Sequence, residues 1–301
     1  MSASPSESIP NATKAATPGT ILVLRPDAMG DLVLFSASVG AMRELWPTAR
    51  IAVLIRDSHA DLARLLVPSV EWITTSIDPF AQGPEEKATE LESVLHHVRQ
   101  LHPEWVLAAC SRRTWLDFSI AQVCPRARRV ALASGEEDRY FGKTGSLPGK
   151  ENPEIRYEEI VPLATDTQEW KRGFLLAEYL AGKKIEIRPP IIAIPENLRA
   201  EADTALKHLG LARGTFVACA AAGFSNVRIK TWPPDRFARI AAWLDKEMNV
   251  PVLLLGQESE RDYLERIKTA ARTKRVKIWL GKADELPLLA ALLSTARLYF
   301  G

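Results

Sequence analysis

Asp31 closes the stretch Ile21 to Asp31, ILVLRPDAMGD, and its neighbours suit it to chemistry. The four apolar residues Ile21 to Leu24 have the unbroken hydrophobicity of a short strand covered on both faces. Pro26 and Gly30 punctuate the break that follows. From Asp31 the run DLVLFSASVGAMRELWP is long enough for a helix, and Pro47 stops it. Asp31 therefore stands at or beside a helix N-terminus, where free backbone N–H groups and the helix dipole favour an ionised carboxylate. In a parallel sheet this turn lies at the carboxyl ends of the strands, where ligands collect. An ionised Asp there can act as a base, anchor a hydroxyl or simply cap the helix. A dinucleotide fingerprint is excluded, because Gly30 stands without the other glycines of G-x-G-x-x-G.

The elements that must position Asp31 follow the same alternation. Strands are expected at Arg50 to Ile55, Val70 to Thr74, Trp105 to Cys110 and Arg129 to Leu132, with helices at Ser58 to Leu66, Glu85 to Leu101 and Thr114 to Val123. Such alternation predicts a parallel, doubly wound sheet. A polar, glycine-rich loop spans Ser134 to Asn152, and a helix-like segment from Ile155 to Leu180 is expected to break or kink at Pro162. The proline-rich GKKIEIRPPIIAIP then reads as a connection between domains. A second α/β run follows, with helices beginning at Glu196, at the Pro233–Pro234 pair, at Ser259 and at Glu285, and strands at Phe216 to Ala220, Val250 to Leu255, Val276 to Leu280 and Arg297 to Phe300. The expected domains are a disordered leader at 1–19, a first Rossmann-like domain at 20–182, a linker at 183–195 and a second Rossmann-like domain at 196–301.

Length and composition bound the rest. A chain of 301 residues can bury two cores, and 47% hydrophobic with 25% charged residues is ordinary for a soluble globular protein. The formal charge of +2, from 39 basic and 37 acidic residues, argues against a general nucleic-acid-binding surface. Cys110, Cys124 and Cys219 have no metal-like spacing, and Cys110 and Cys219 read as small core hydrophobes in a reducing compartment. His96, His97 and His102 straddle a helix end without a ligand pattern, so no metal is expected. Trp105, Trp115 and Trp232 read as packing residues. No signal peptide is evident, and no apolar run reaches the roughly 18–20 residues of a membrane span. The expected location is the cytoplasm, with any membrane contact peripheral.

Three stretches, taken in order, resemble glycosyltransferase family 9, the heptosyltransferases of the lipopolysaccharide inner core. RPDAMGDLVLFSASVGAMRELWP is similar to the family's opening turn and helix, AAAGFSNVRIKTWPPDRFARIAAWL to its donor-side loop and W-P helix start, and VPVLLLGQESERDYLERI to the strand, glycine and acidic residue that follow. The resemblance covers most of residues 20–301. It implies a GT-B architecture of two Rossmann-like domains facing a cleft, the acceptor on the first and the nucleotide sugar on the second. It also implies an inverting, metal-independent transfer without a cofactor from a nucleotide diphospho sugar, ADP-heptose in the best-known members, to an anionic saccharide or glycolipid.

By the same resemblance Asp31 matches the catalytic base, and Gly30 allows the tight turn that presents it. Lys230 matches the basic residue that meets the donor diphosphate, with Arg228 beside it and Ala222 and Gly223 offering backbone N–H groups. Glu258, or else Glu260, matches an acidic residue that holds the ribose. Arg25, Arg56, Arg112 and Arg113, all near strand ends, are candidates for the acceptor's anionic groups. The family continues beyond the position of Gly301 with a loop of the type G-N-D-S-G-x-x-H, so the chain reads as a truncated member with an incomplete second domain. A rival reading from the same stop is a non-catalytic remnant or binding module that has lost donor binding.

Overall fold

The computed structural model describes residues 17–110, 112–133, 157–221, 232–282 and 284–301. The chain divides into two compact units, Met1–Ile191 and Ile192–Gly301. In the first, strands β1 (Thr20–Leu24), β2 (Arg50–Arg56), β3 (Glu71–Thr75), β4 (Trp105–Ala108), β5 (Arg128–Leu132) and β6 (Glu159–Val161) form one parallel sheet in the order β3-β2-β1-β4-β5-β6. Helices α1 (Met29–Leu45), α2 (Ala60–Leu66), α3 (Ala88–Leu101), α4 (Trp115–Val123) and α5 (Glu169–Ala181) complete the winding.

β1 holds the centre. Ile21 pairs in register with Ile51 on β2 and with Trp105 on β4, and Ile21 to Leu24 are wholly enclosed. Each such aliphatic side chain contributes roughly 1.5–3 kcal/mol by leaving water. Leu22 and Leu24, with Ala52, Leu54, Val106 and Ala108 beside them, join Val94, Leu95 and Val98 of α3 and Trp115, Leu116 and Ile120 of α4 in one buried cluster. That clustering follows from the two-residue period of strands, which sends alternate residues to one face. α4 is started by a capping box, in which Asp117 Oδ2 accepts from the Thr114 backbone N–H at 2.6 Å and from its hydroxyl at 2.7 Å.

α1 and α5 pack against each other, and the close approach depends on Gly173. A β-carbon there would lie 2.1 Å from Ser38 Oγ and 2.5 Å from Phe35 Cε2, both on α1.

The helix-like segment expected over 155–180, with a break or kink at Pro162, is helical only in its later part. Glu159–Val161 instead forms the edge strand β6, Pro162 follows it, and the helix begins only at Glu169. A three-residue strand has too few positions to show alternation, and its partner β5 supplies the hydrogen bonds that define it. The expected helices from Ser58 and Glu85 each begin with a 3-10 turn, Asp57–His59 and Glu85–Lys87. The polar loop expected at 134–152 lies outside the described residues.

The second unit carries a parallel sheet in the order β10-β7-β8-β9, from β7 (Val217–Cys219), β8 (Val252–Gln257), β9 (Val276–Gly281) and β10 (Leu298–Phe300). Its helices are α6 (Glu196–Leu209), α7 (Pro234–Met248), α8 (Arg261–Ala271) and α9 (Leu286–Thr295). Pro234 opens α7 where its missing N–H costs nothing, and Gly210 closes α6 at φ 68°. Val217, Cys219, Val252 and Leu254 pack with Phe237, Ala241, Leu264 and Ile267 to form its core. Among the described residues, no helix is long and apolar enough to cross a membrane.

Gly173→Ala should force α1 and α5 apart at a fully packed contact. The expected cost is about 1–3 kcal/mol, seen as a melting temperature several degrees lower; an unchanged melt would show that the contact yields freely.

Candidate active site

In the first sheet the winding reverses between β1 and β4, and in such sheets the crevice at the carboxyl ends of these two strands receives ligands. A cavity of about 420 Å³ lies at this edge. The turn after β1 and the start of α1 line it with Asp27, Ala28 and Asp31, and the end of β2 and the segments after β3 and β4 add Arg56, Asp78, Phe80, Cys110 and Arg112. Glu169, the first residue of α5, completes the wall.

Arg25 is the piece beneath this wall. Its backbone N–H extends the β1 ladder to Leu54 O at 2.9 Å, and its side chain is only 1% exposed. Nη1 donates to Ala109 O, and Nη2 donates to Glu169 Oε1 at 2.8 Å and to the backbone carbonyl of Asp31 at 3.4 Å. Nε lies 3.1 Å from Asp27 Oδ1, an ion pair without hydrogen-bond alignment. The guanidinium also sits 5.0 Å from the centre of the Phe35 ring. Burial opposes its charge, but Asp27, Cys110 and Glu169 outweigh that and hold it above its ordinary pKa. Arg25 is thus an enclosed organiser of the site, where a surface contact to the acceptor was expected.

Two carboxyl groups of the turn face the cavity. Burial, with repulsion from Asp31, pushes Asp27 up to about 6 against the pull of Arg25. Burial also raises Asp31, Arg25 and Arg172 opposing and Glu169 assisting. Cys110 Sγ contacts Leu24 O at 3.8 Å, and burial first, then Asp27, raises its thiol so that it stays protonated. Nucleophilic chemistry at Cys110 is therefore disfavoured.

The capping alternative for Asp31 is not realised. The N-cap of α1 is Ala28, in an extended conformation without a side-chain cap bond, and Asp31 stands in the helix's first turn. Gly30 is exposed within the helix; a β-carbon there would meet nothing within 4 Å, and its φ is not left-handed. The turn is made by the extended backbone of Ala28, and the glycine was not needed for it.

Of the other expected acceptor residues, Arg56 ion-pairs with Asp78, and Arg112 is exposed beside the cavity. Arg113 is directed elsewhere: its Nη1 donates to Leu132 O at 2.8 Å, at the end of β5. Buried His59, behind Arg56, is lowered to about 4 by burial and by that guanidinium, so it is neutral near pH 7.

On the second unit, Glu258 is exposed and paired with Arg261 at 2.6 Å. Glu260 turns back to accept the Gln257 backbone N–H at 2.8 Å, closing a capping box at the carboxyl end of β8. Ala222, Gly223, Arg228 and Lys230 lie outside the described residues. Among the described residues, no group of three or more His, Cys, Asp or Glu side chains is arranged to hold a metal.

Asp27 and Glu169 were missed in the sequence. Asp27 had a signal, a second acid four residues before Asp31 in the same turn. Glu169 had none, because it reaches Arg25 across 144 residues of chain.

Comparison with known proteins agrees with this picture. The sequence profile of glycosyltransferase family 9 (heptosyltransferase) matches residues 157–301, which include α5 and the second unit. No curated protein sequence matches the chain. Among solved structures, a family 9 glycosyl transferase from Veillonella parvula is similar at 17% identity and TM-score 0.73, over 93% of this chain and 74% of that one. E. coli ADP-heptose lps heptosyltransferase II follows at 16% identity and TM-score 0.64, over 93% and 78%. E. coli heptosyltransferase WaaC with ADP gives 13% identity and TM-score 0.63, over 93% and 80%. At these identities the structures speak to the fold, a GT-B-type pair of α/β units, and the profile speaks to the family. Residues 157–301 thus carry the sequence profile of glycosyltransferase family 9, and over nearly its whole length the chain is similar in fold to solved glycosyltransferases of that family.

Proposed function

We propose that this protein is an inverting, metal-independent glycosyltransferase. It moves a sugar, heptose first among candidates, from a nucleotide diphospho sugar such as ADP-heptose to an anionic saccharide of the lipopolysaccharide-core type. The observation that carries the reading is Asp31, a half-buried carboxylate in the first turn of α1 that opens onto the cavity at the carboxyl edge of β1. The ADP and ADP-2-deoxy-2-fluoro heptose of the E. coli WaaC structures support the donor class.

Asp31 takes the proton of the acceptor hydroxyl as that oxygen bonds to the anomeric carbon and the bond to the diphosphate breaks. Displacement in one step from the opposite face inverts the centre. Lys230, with Arg228 and the backbone at Ala222 and Gly223, neutralises the departing diphosphate. Glu258 or Glu260 holds the ribose. Arg56 and Arg112 receive the acceptor's anionic group. The enzyme works in the cytoplasm, with at most peripheral contact at the inner face of the membrane.

Replacing Asp31 by Asn keeps the shape and removes the base. With ADP-heptose and a panel of phosphorylated and neutral saccharides, Asp31→Asn should lower kcat by about 10²–10⁴ with little change in donor KM; unaltered turnover would remove the base assignment. The pH profile is a second check. A base must be unprotonated, so kcat/KM should fall on the acid side as Asp31, raised by burial above the usual carboxylate range, gains its proton, with Asp27, pushed up to about 6, titrating beside it. A rate flat from pH 7 down to pH 4 would contradict it.

A further inference from the structure

Resting on that reading, we infer that Glu169 is a positioning residue for the transfer: its carboxylate locks the Arg25 guanidinium that grips the backbone of Asp31, and supplies negative charge beside the base.

The geometry begins with α5. Glu169 and Gly173 are one helical turn apart and so share a face, and Gly173 is where α5 comes against Phe35 and Ser38 of α1. The missing side chain at 173 brings the start of α5 up to the β1–α1 turn. Glu169 Oε1 then accepts from Arg25 Nη2 at 2.8 Å, while the same nitrogen reaches Asp31 O at 3.4 Å. One guanidinium nitrogen thus joins the first residue of α5 to the backbone of the proposed base. Glu169 also lines the cavity with Asp31, and its other oxygen lies 3.1 Å from Arg172 Nη1, so the carboxylate is held from both sides.

The charges facing Asp31 can be named element by element. Arg25 comes from the end of β1, Asp27 from the turn, and Glu169 and Arg172 from α5; Arg56, Asp78 and Arg112 line the rest of the cavity. Near Asp31 the two cations Arg25 and Arg172 are set against the acids Asp27 and Glu169. Glu169 raises the proton affinity of Asp31 while Arg25 and Arg172 reduce it. A base that is too well stabilised as an anion takes a proton poorly, so a like charge beside it aids the transfer. The side chain does this without touching the reacting atoms.

The test reads Asp31 directly, by carboxyl-carbon NMR titration of Asp-labelled protein, its resonance assigned by its loss in Asp31→Asn. Glu169→Gln keeps an oxygen for Arg25 and deletes the charge. The Asp31 midpoint should then fall by roughly half a pH unit or more, and the acid limb of kcat/KM with ADP-heptose should move with it. Glu169→Asp keeps the charge and should leave the midpoint near that of the parent. Unmoved midpoints in a folded Glu169→Gln protein would overturn the inference, as would an Asp variant displaced as far as the Gln variant. A chain that unfolds with Gln yet folds with Asp would make Glu169 a purely structural residue and overturn it too. An inactive Asp31→Asn with unmoved midpoints would sink this inference alone, whereas an active Asp31→Asn would sink the base assignment while the midpoints still respond.

Discussion

A guanidinium taken fully out of water must be matched by acceptors and counter-charges, and the first unit is arranged around that requirement at Arg25. Its partners come from four places in the chain: the carbonyl after β4, the backbone of Asp31, the acid of the turn and the first residue of α5. None of these is adjacent to another in sequence beyond the turn itself. The guanidinium therefore acts as a tie between the central strand, the first helix and a helix that begins well over a hundred residues later. A neutral side chain there would take the counter-charge from Asp27 and leave Glu169 with Arg172 alone.

This tie sets the electrostatics of the cavity. One part of it is acidic, with Asp27, Asp31 and Glu169 gathered near one buried cation, while Arg56, paired with Asp78, and Arg112 line the rest. Burial drives the acids upward in proton affinity, and the buried cation restrains them only in part, so both Asp27 and Asp31 hold a proton more readily than an ordinary carboxylate. Neutral His59 and the protonated thiol of Cys110 add no further charge to this balance.

The second unit repeats the same rule in a smaller sheet. Its order β10-β7-β8-β9 puts the chain reversal between β7 and β10, again at the carboxyl edge. Glu260 secures the turn after β8, and Glu258 is left at the surface with Arg261. Both units therefore place their loops with chemical character where strands end, because only there do exposed backbone groups and helix N-termini converge.

Much of the architecture was legible because it is written in local terms. Unbroken apolar runs marked β1 and β2, prolines and glycines marked the ends of α1, α6 and α7, and the G-D turn pointed to Asp31. These signals depend on neighbours within a few residues, so the chain by itself determined two α/β units and a carboxylate at a strand end. Tertiary structure alone decided the remainder. It buried Arg25, which in sequence looks like any charge after a strand; it made β6 from three residues that acquire meaning only beside β5; and it brought Glu169 to the site through a glycine contact between α1 and α5. The physical reason is the same in each case: burial, strand pairing and ion pairing over long chain separations are properties of packed surfaces, and no window of sequence contains both partners.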